Sequence, residues 1–208
     1  MPTRPVLHFT HLEHRDTVIA NGLLCDTAAR RSGLIRREAG QPSIKAGRRA
    51  RTVPIAPYGV VADYVPFYFA PRSPMMSSIS WGNVPEFGSD VTGLIYLVTD
   101  TDRLVDAGLT VLATDRNAKL ALAEFRLIAE SEDLVDWPLM RVKIWKNTDA
   151  DPERRERRMA ECLVHQRVPF DVITEIGTHG EQQAQTVQDT LNRYGKTTPV
   201  NVRPYWYI

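Results

Sequence analysis

Asp63-Tyr64-Val65-Pro66-Phe67-Tyr68-Phe69 is a β-prone aromatic run, closed by the turn-forming Pro71-Arg72-Ser73-Pro74. A proline inside a central strand removes a ladder donor, so the strand is placed from Pro66 onward. Toward the C-terminus, 82–88 reads as a loop and 93–98 as a buried strand. A helix near 102–107 and a strand at 110–113 follow. Residues 117–129 read as a helix, with Leu120, Ala121, Phe125 and Ile128 on one side. Residues 160–164, 173–178 and 200–207 read as strands, with a polar helix at 181–193 between the last two. Toward the N-terminus, 6–10 is a short strand. Thr10 and Glu13 then fit a capping box opening a helix at 11–20, which Asn21-Gly22 ends. Strands and helices do not alternate regularly, so the expectation is an α+β domain with a mostly antiparallel or split sheet.

Composition sets this in an ordinary globular protein. The 208 residues carry 26 Lys+Arg against 25 Asp+Glu and are 43% hydrophobic, enough for one core and one domain over 1–208. Repeats and composition breaks of linker length are absent. Cys25 and Cys162 are too few for a disulfide scaffold, which points to reduced thiols and the cytoplasm. No apolar run approaches the roughly 20 residues of a membrane span, and the first residues lack a stretch of signal-peptide length. The net charge of +1 hides an asymmetry. Residues 30–51 hold Arg30, Arg31, Arg36, Arg37, Lys45, Arg48, Arg49 and Arg51 against the single acid Glu38, a window of +7 that leaves −6 for the rest. Such a block is either a solvated arm or a phosphate-binding element, since arginine forks match phosphate oxygens.

Several chemistries lack their motifs. No GxGxxG follows a strand, no GxxxxGK[ST] is present, and no CxxC, HExxH or histidine cluster supports a metal. His8, His11, His14, His165 and His179 leave open an acid/base role, with a structural role for each as the plainer reading. Glu161 is the most unusual acid. In Ala-Glu-Cys-Leu-Val, alternation puts it on a sheet face with Leu163, opposite Cys162 and Val164. It is either an exposed polar residue or a carboxylate set into an interior face. The second suits chemistry in which positive charge develops on a sugar.

These residues carry a family resemblance. His8-Phe9-Thr10-His11 with Asn21-Gly22-Leu23, the 63–69 run with Pro71-Arg72-Ser73-Pro74-Met75, Thr114-Asp115-Arg116-Asn117, Arg158-Met159-Ala160-Glu161-Cys162-Leu163-Val164 and the terminal Trp206-Tyr207 resemble, in order, the DarT family of bacterial DNA ADP-ribosyltransferase toxins. The resemblance implies an ADP-ribosyltransferase-like fold: a split, mostly antiparallel sheet with flanking helices. It implies that His8, Phe9 and Thr10 bind the nicotinamide end of NAD, and that Thr17 and Cys25 contribute from the early helix and its exit. About 30–50 would be an NAD-binding loop-helix element carrying a functional arginine. Counting back from Val53-Pro54 favours Arg48, with Arg49 and Arg51 as neighbouring registers. About 117–161 would hold the loop that presents the nucleic-acid acceptor. Tyr68 lines the nicotinamide site or is simply core.

The implied activity is transfer of ADP-ribose from NAD to a base in single-stranded DNA, thymidine favoured over guanosine, with release of nicotinamide and no metal. Glu161 would stabilise the sugar cation and accept the proton of the attacking base, and Arg48 would assist while staying protonated. A DarG-type macrodomain antitoxin is the implied partner. Arg154, Arg155, Arg157 and Arg158, with Trp145 for stacking, either hold DNA phosphates or form a helix face paired with Glu153 and Glu156. Two other readings remain: a phosphotransferase or nuclease using His8 or His11, and a non-catalytic module that grips single strands.

Overall fold

The computed structural model describes residues 2–33, 42–84 and 89–208. The chain runs β1 (Pro5–His11), α1 (Arg15–Asn21), β2 (Leu23–Leu24), α2 (Asp26–Arg31), α3 (Pro42–Ala50), β3 (Tyr64–Tyr68), α4 (Pro74–Ser80), β4 (Leu94–Asp100) and α5 (Thr101–Asp106). It continues with β5 (Val111–Thr114), β6 (Phe125–Leu127), α6 (Trp137–Met140), α7 (Arg154–Arg157), β7 (Glu161–His165), β8 (Arg167–Val168), β9 (Glu175–Thr178), α8 (Glu181–Arg193) and β10 (Val200–Val202). Eight strands form one sheet in the order β10-β9-β4-β1-β3-β7-β5-β6, antiparallel except for the β9–β10 pair. This is the α+β, mostly antiparallel architecture expected.

The sheet forks at its middle. β1 pairs with β4 along its whole length, from Pro5↔Asp100 to His11↔Leu94, whereas β1 and β3 share the single register pair Leu7↔Tyr68. The fork explains why a proline is tolerated. Pro66 is inside β3, not at its start, and pairs with Leu163 of β7. Its carbonyl faces β1 and accepts a hydrogen bond from His8 Nδ1 at 2.7 Å. A residue's N–H and C=O leave a strand on the same side, so the donor Pro66 lacks would have faced the fork, where no ladder forms.

One sheet face is covered by a continuous core. Val6, Ile95, Leu97, Phe67, Cys162 and Val164 meet Val18 and Ile19 of α1 and Val187 and Leu191 of α8. The other face carries two separate cores. Leu7, Phe9, Leu94 and Tyr96 pack on Met76 and Ile79 of α4, while Tyr64, Leu112, Leu163 and Phe125 pack on Val53, Val61 and Ala118. The fork lies between them.

Several local expectations are corrected. The polar helix Glu181–Arg193 forms as read. The first helix instead begins as a 3-10 turn, Leu12–His14, before α1. The Thr10/Glu13 capping box is not made, because Thr10 Oγ1 hydrogen-bonds His14 Nδ1 at 3.0 Å and His11 Nδ1 accepts from the Glu13 backbone. Gly22 does end α1, at φ 75°, against Val168 O where a Cβ would collide. Residues 117–129 are not a helix but a turn followed by β6. Leu122 is 81% exposed, and Phe125 is buried by pairing with Thr114, so the apolar residues follow turn and strand geometry rather than one helical face. The last strand stops at Val202 because Pro204 opens a 3-10 turn. The loop expected at 82–88 lies partly outside the described residues, as do Arg36, Arg37 and Glu38 of the basic window.

Candidate active site

A cleft occupies the fork. β1 contributes His8, Phe9 and Thr10, β3 contributes Pro66 and Tyr68, and Glu161 opens β7 at its floor; Lys45 and Arg48 of α3 form the facing wall. Its remaining lining includes His14, Asp26, Met75 and Asn117.

Glu161 takes the interior position of its two sequence readings. Its register partner is Tyr68, it is 1% exposed, and its backbone N–H donates to Thr114 Oγ1 at 3.2 Å. A buried carboxylate needs compensation, and Arg48 provides it. Nη1 of Arg48 donates to both carboxylate oxygens, at 3.0 and 2.8 Å. One nitrogen thus spans the carboxylate, and Nη2 is buried without a partner among the described residues. The structure also separates the three arginine registers. Arg49 turns to Asp26 at 3.0 Å and Arg51 donates to Ala121 O, so Arg48 alone of the three meets Glu161.

Among the described residues α3 buries no side chain fully and is held largely by charge. Asp26, at the start of α2, lies 3.4 Å from Lys45, 3.0 Å from Arg49 and 3.3 Å from Arg30. Burial pushes the Asp26 carboxyl up, but these three cations outweigh it and hold the group below the usual carboxylate range. Gly47 lets the Lys119 side chain cross the helix at a point where a Cβ would collide with it. Much of the basic window is therefore spent on internal acids rather than standing free in solvent.

The β1 wall is neutral. His8 donates from Nδ1 to Pro66 O, and burial, aided by the nearby His14 and Arg48, brings its pKa down from 6.5 to about 4. The ring is neutral at pH 7, with Nε2 as an acceptor. Phe9 stacks on Tyr68 at 5.9 Å between ring centroids, and burial together with the Glu161 carboxylate keeps the Tyr68 phenol protonated.

Of the residues the sequence singled out, the fold brings together His8, Phe9, Thr10, Arg48 and Glu161, with Tyr68 beside them. Thr17 lies on α1 outside the cleft lining. Cys25 is 3% exposed and caps α2 by accepting from the Ala28 N–H, next to the lining residues Leu24 and Asp26 but not itself among them. His8 and His11 do not form an acid/base pair: His11 leaves the opposite face of β1, toward Gly93 and Glu13. Three of the 154–158 arginines take partners other than Glu153 and Glu156, and Arg155 is exposed. Arg157 pairs with Asp151 and Asp136, Arg154 donates to Ile144 O, and Arg158 is buried and donates to Pro71 O. Burial lowers the Arg158 guanidinium pKa to about 10. Asp26, Lys45 and Asn117 were missed as site residues because each is an ordinary turn or helix residue until the fold turns it inward.

The cleft thus offers one buried carboxylate at the floor, cations on one wall and a neutral aromatic wall opposite. That asymmetry fits a ligand with an anionic centre and a planar ring at one end, whose reacting carbon becomes positive. Comparison with known proteins is consistent. Residues 7–208 match the family model described as ssDNA thymidine ADP-ribosyltransferase, DarT. A DNA ADP-ribosyl transferase of Thermus sp. strain 2.9 is 31% identical over 205 residues, covering 98% of this chain and 95% of that one. The solved Thermus sp. 2.9 DarT in complex with ADP-ribosylated ssDNA superposes with a TM-score of 0.89 at 30% identity, over 99% of this chain and 96% of that one. The same protein in complex with NAD+ gives 0.85 at 29% identity, over 99% and 98%.

Proposed function

The chain belongs to the DarT family, and from that premise we propose that it transfers ADP-ribose from NAD to thymidine in single-stranded DNA. The observation that carries the reading is the pairing of a buried Glu161 with Arg48 at the fork, beneath a wall of His8, Phe9, Thr10 and Tyr68.

In this reading NAD lies with nicotinamide against the β1 wall and pyrophosphate toward α3. The glycosidic bond to nicotinamide breaks, its electron pair leaves with nicotinamide, and the ribose carbon gains oxocarbenium character. The Glu161 carboxylate stabilises that charge from the floor of the cleft. Arg48 holds the carboxylate in place, and Nη2 remains for the incoming acceptor. A ring nitrogen of the base then forms the new bond to the same carbon. Its proton passes to the Glu161 carboxylate and on to solvent, because a guanidinium stays charged at pH 7. His8, neutral with Nε2 as acceptor, orients a donor on the nicotinamide half without adding positive charge where a cation develops. Thr17 and Cys25 contribute from behind the lining, by packing α1 and the start of α2. Residues 1–208 act as one catalytic domain, with about 30–50 as the NAD-binding element and about 117–161 as the region that meets DNA.

A single strand is the substrate the chemistry asks for, since pairing hides the base edge that must react. The cells' own DNA is then at risk, so the reading includes a DarG-type macrodomain antitoxin and a cytoplasmic setting. Both cysteines are free, and among the described residues no helix is long and apolar enough to cross a membrane.

The test is incubation of the protein with NAD and a short thymidine-containing single strand, followed by intact mass spectrometry. The expected result is one added ADP-ribosyl group, equimolar nicotinamide, and a modified thymidine on digestion to nucleosides. Binding or cleavage of the strand without that adduct would overturn the reading.

A further inference from the structure

We propose that Asn117 is the residue that selects the acceptor base, by donating an amide hydrogen bond to a ring carbonyl. The inference rests on the transferase reading above and assigns the specificity of the same cleft.

Asn117 lines the cleft with Glu161 and Arg48. Its position relative to Glu161 is fixed by a short chain of bonds. The Glu161 N–H donates to Thr114 Oγ1 at 3.2 Å, and the Thr114 hydroxyl donates to Arg116 O at 2.7 Å, one residue before Asn117. The orientation of the amide is fixed as well. The Lys119 backbone N–H donates to Asn117 Oδ1 at 3.0 Å, which only the oxygen can accept. The acceptor end is thereby used within the turn, and the Nδ2 end has no protein partner among the described residues. A side chain that ordinarily offers one donor and one acceptor presents this cleft with a donor.

Thymine meets that donor with a carbonyl on either side of its N3–H. At the 4-position of cytosine and the 6-position of adenine an amino group would set donor against donor, leaving both unpaired; the 2-carbonyl of cytosine still accepts, and there cytosine is excluded because it has no N3–H to lose. The carbonyl also matters to the chemistry. As N3 loses its proton and attacks, negative charge spreads onto the flanking oxygens, where a fixed N–H is worth more than in the ground state. Asn117 therefore favours bases with a lactam N–H and assists the step in which that proton leaves.

The experiment is a double cycle between residue and substrate atom. Transfer rates are measured for the wild-type chain, Asn117→Asp and Asn117→Ala on single strands containing thymidine, 2-thiothymidine or 4-thiothymidine, with NAD saturating. Asp keeps the oxygen that caps Lys119 and loses the donor, so it retains the turn; Ala controls for added charge. The wild type should be slowed roughly 10-fold by one of the two thio substitutions, since sulfur is the weaker acceptor, and both variants should be slow on thymidine yet indifferent to that substitution. If each thio substitution slows wild type and variants by the same factor, or the variants match wild type on thymidine, the assignment is wrong. If the wild type fails to modify thymidine at all, the transferase reading falls and takes this assignment with it.

Discussion

Arg48 and Glu161 differ in how plainly the sequence announced them. Glu161 stood out because a carboxylate inside Ala-Glu-Cys-Leu-Val breaks an apolar run, and the structure puts it at the bottom of the cleft. Arg48 could not be told from Arg49 and Arg51, because neighbours on a helix differ by about 100° and only the docked helix says which direction is inward. His8 carries a prediction at this scale. Its folded pKa of about 4 lies below the ordinary 6.5, so the unfolded chain binds a proton that the folded one refuses. Stability from this group is full above pH 6.5 and is lost as pH falls toward 4. The ring borders an open cleft, so solvent screening cuts the cost to about 1–2 kcal/mol. Urea unfolding at pH 7 and pH 4.5 should show that loss in the wild type and a smaller one in His8→Gln; equal losses would place the acid sensitivity elsewhere.

The elements were legible where a run had one period and one environment. The buried strand at 93–98 and the polar helix at 181–193 were read correctly because burial on both faces and a continuous polar helix leave no second interpretation. The segment 117–129 was misread because its apolar residues fit a helical stripe while an Asx-type turn at Asn117 and pairing of Phe125 with Thr114 decided otherwise. The fork was invisible too, since a one-pair contact between β1 and β3 is a tertiary fact, although Pro66 marked its location. At this scale α3 is docked in part through one side chain of α2, Asp26. Asp26→Asn leaves Lys45, Arg49 and Arg30 without their shared acid. Exposed pairs contribute at most about 1 kcal/mol each, so the melting temperature should fall little. The KM for NAD should rise several-fold, more than kcat falls, in steady-state assays. An unchanged KM would show that α3 stays docked without the latch.

Across the whole molecule, the net charge of +1 understates the positive window, part of which is tied to internal acids. Arg30, Lys45 and Arg49 converge on Asp26, and Arg48 on Glu161. Exposed cations remain on the region before β7, where Arg141, Lys143, Lys146 and Arg155 face solvent. If these meet phosphates, Lys143→Gln with Lys146→Gln should flatten the salt dependence of DNA binding by roughly 1.4 in log–log slope, about 0.7 per lost contact on a single strand. Fluorescence anisotropy across salt concentrations measures this, and an unaltered slope would move the DNA path elsewhere. The central claim, however, is that the buried carboxylate at the fork performs the transfer. Single-turnover transfer to a thymidine-containing strand, with NAD affinity measured separately, compares wild type with Glu161→Gln, which keeps the shape of the side chain and removes its charge. The account predicts a rate loss of about 10²–10³-fold or more while the chain still folds and binds NAD; transfer within a few-fold of wild type would contradict it.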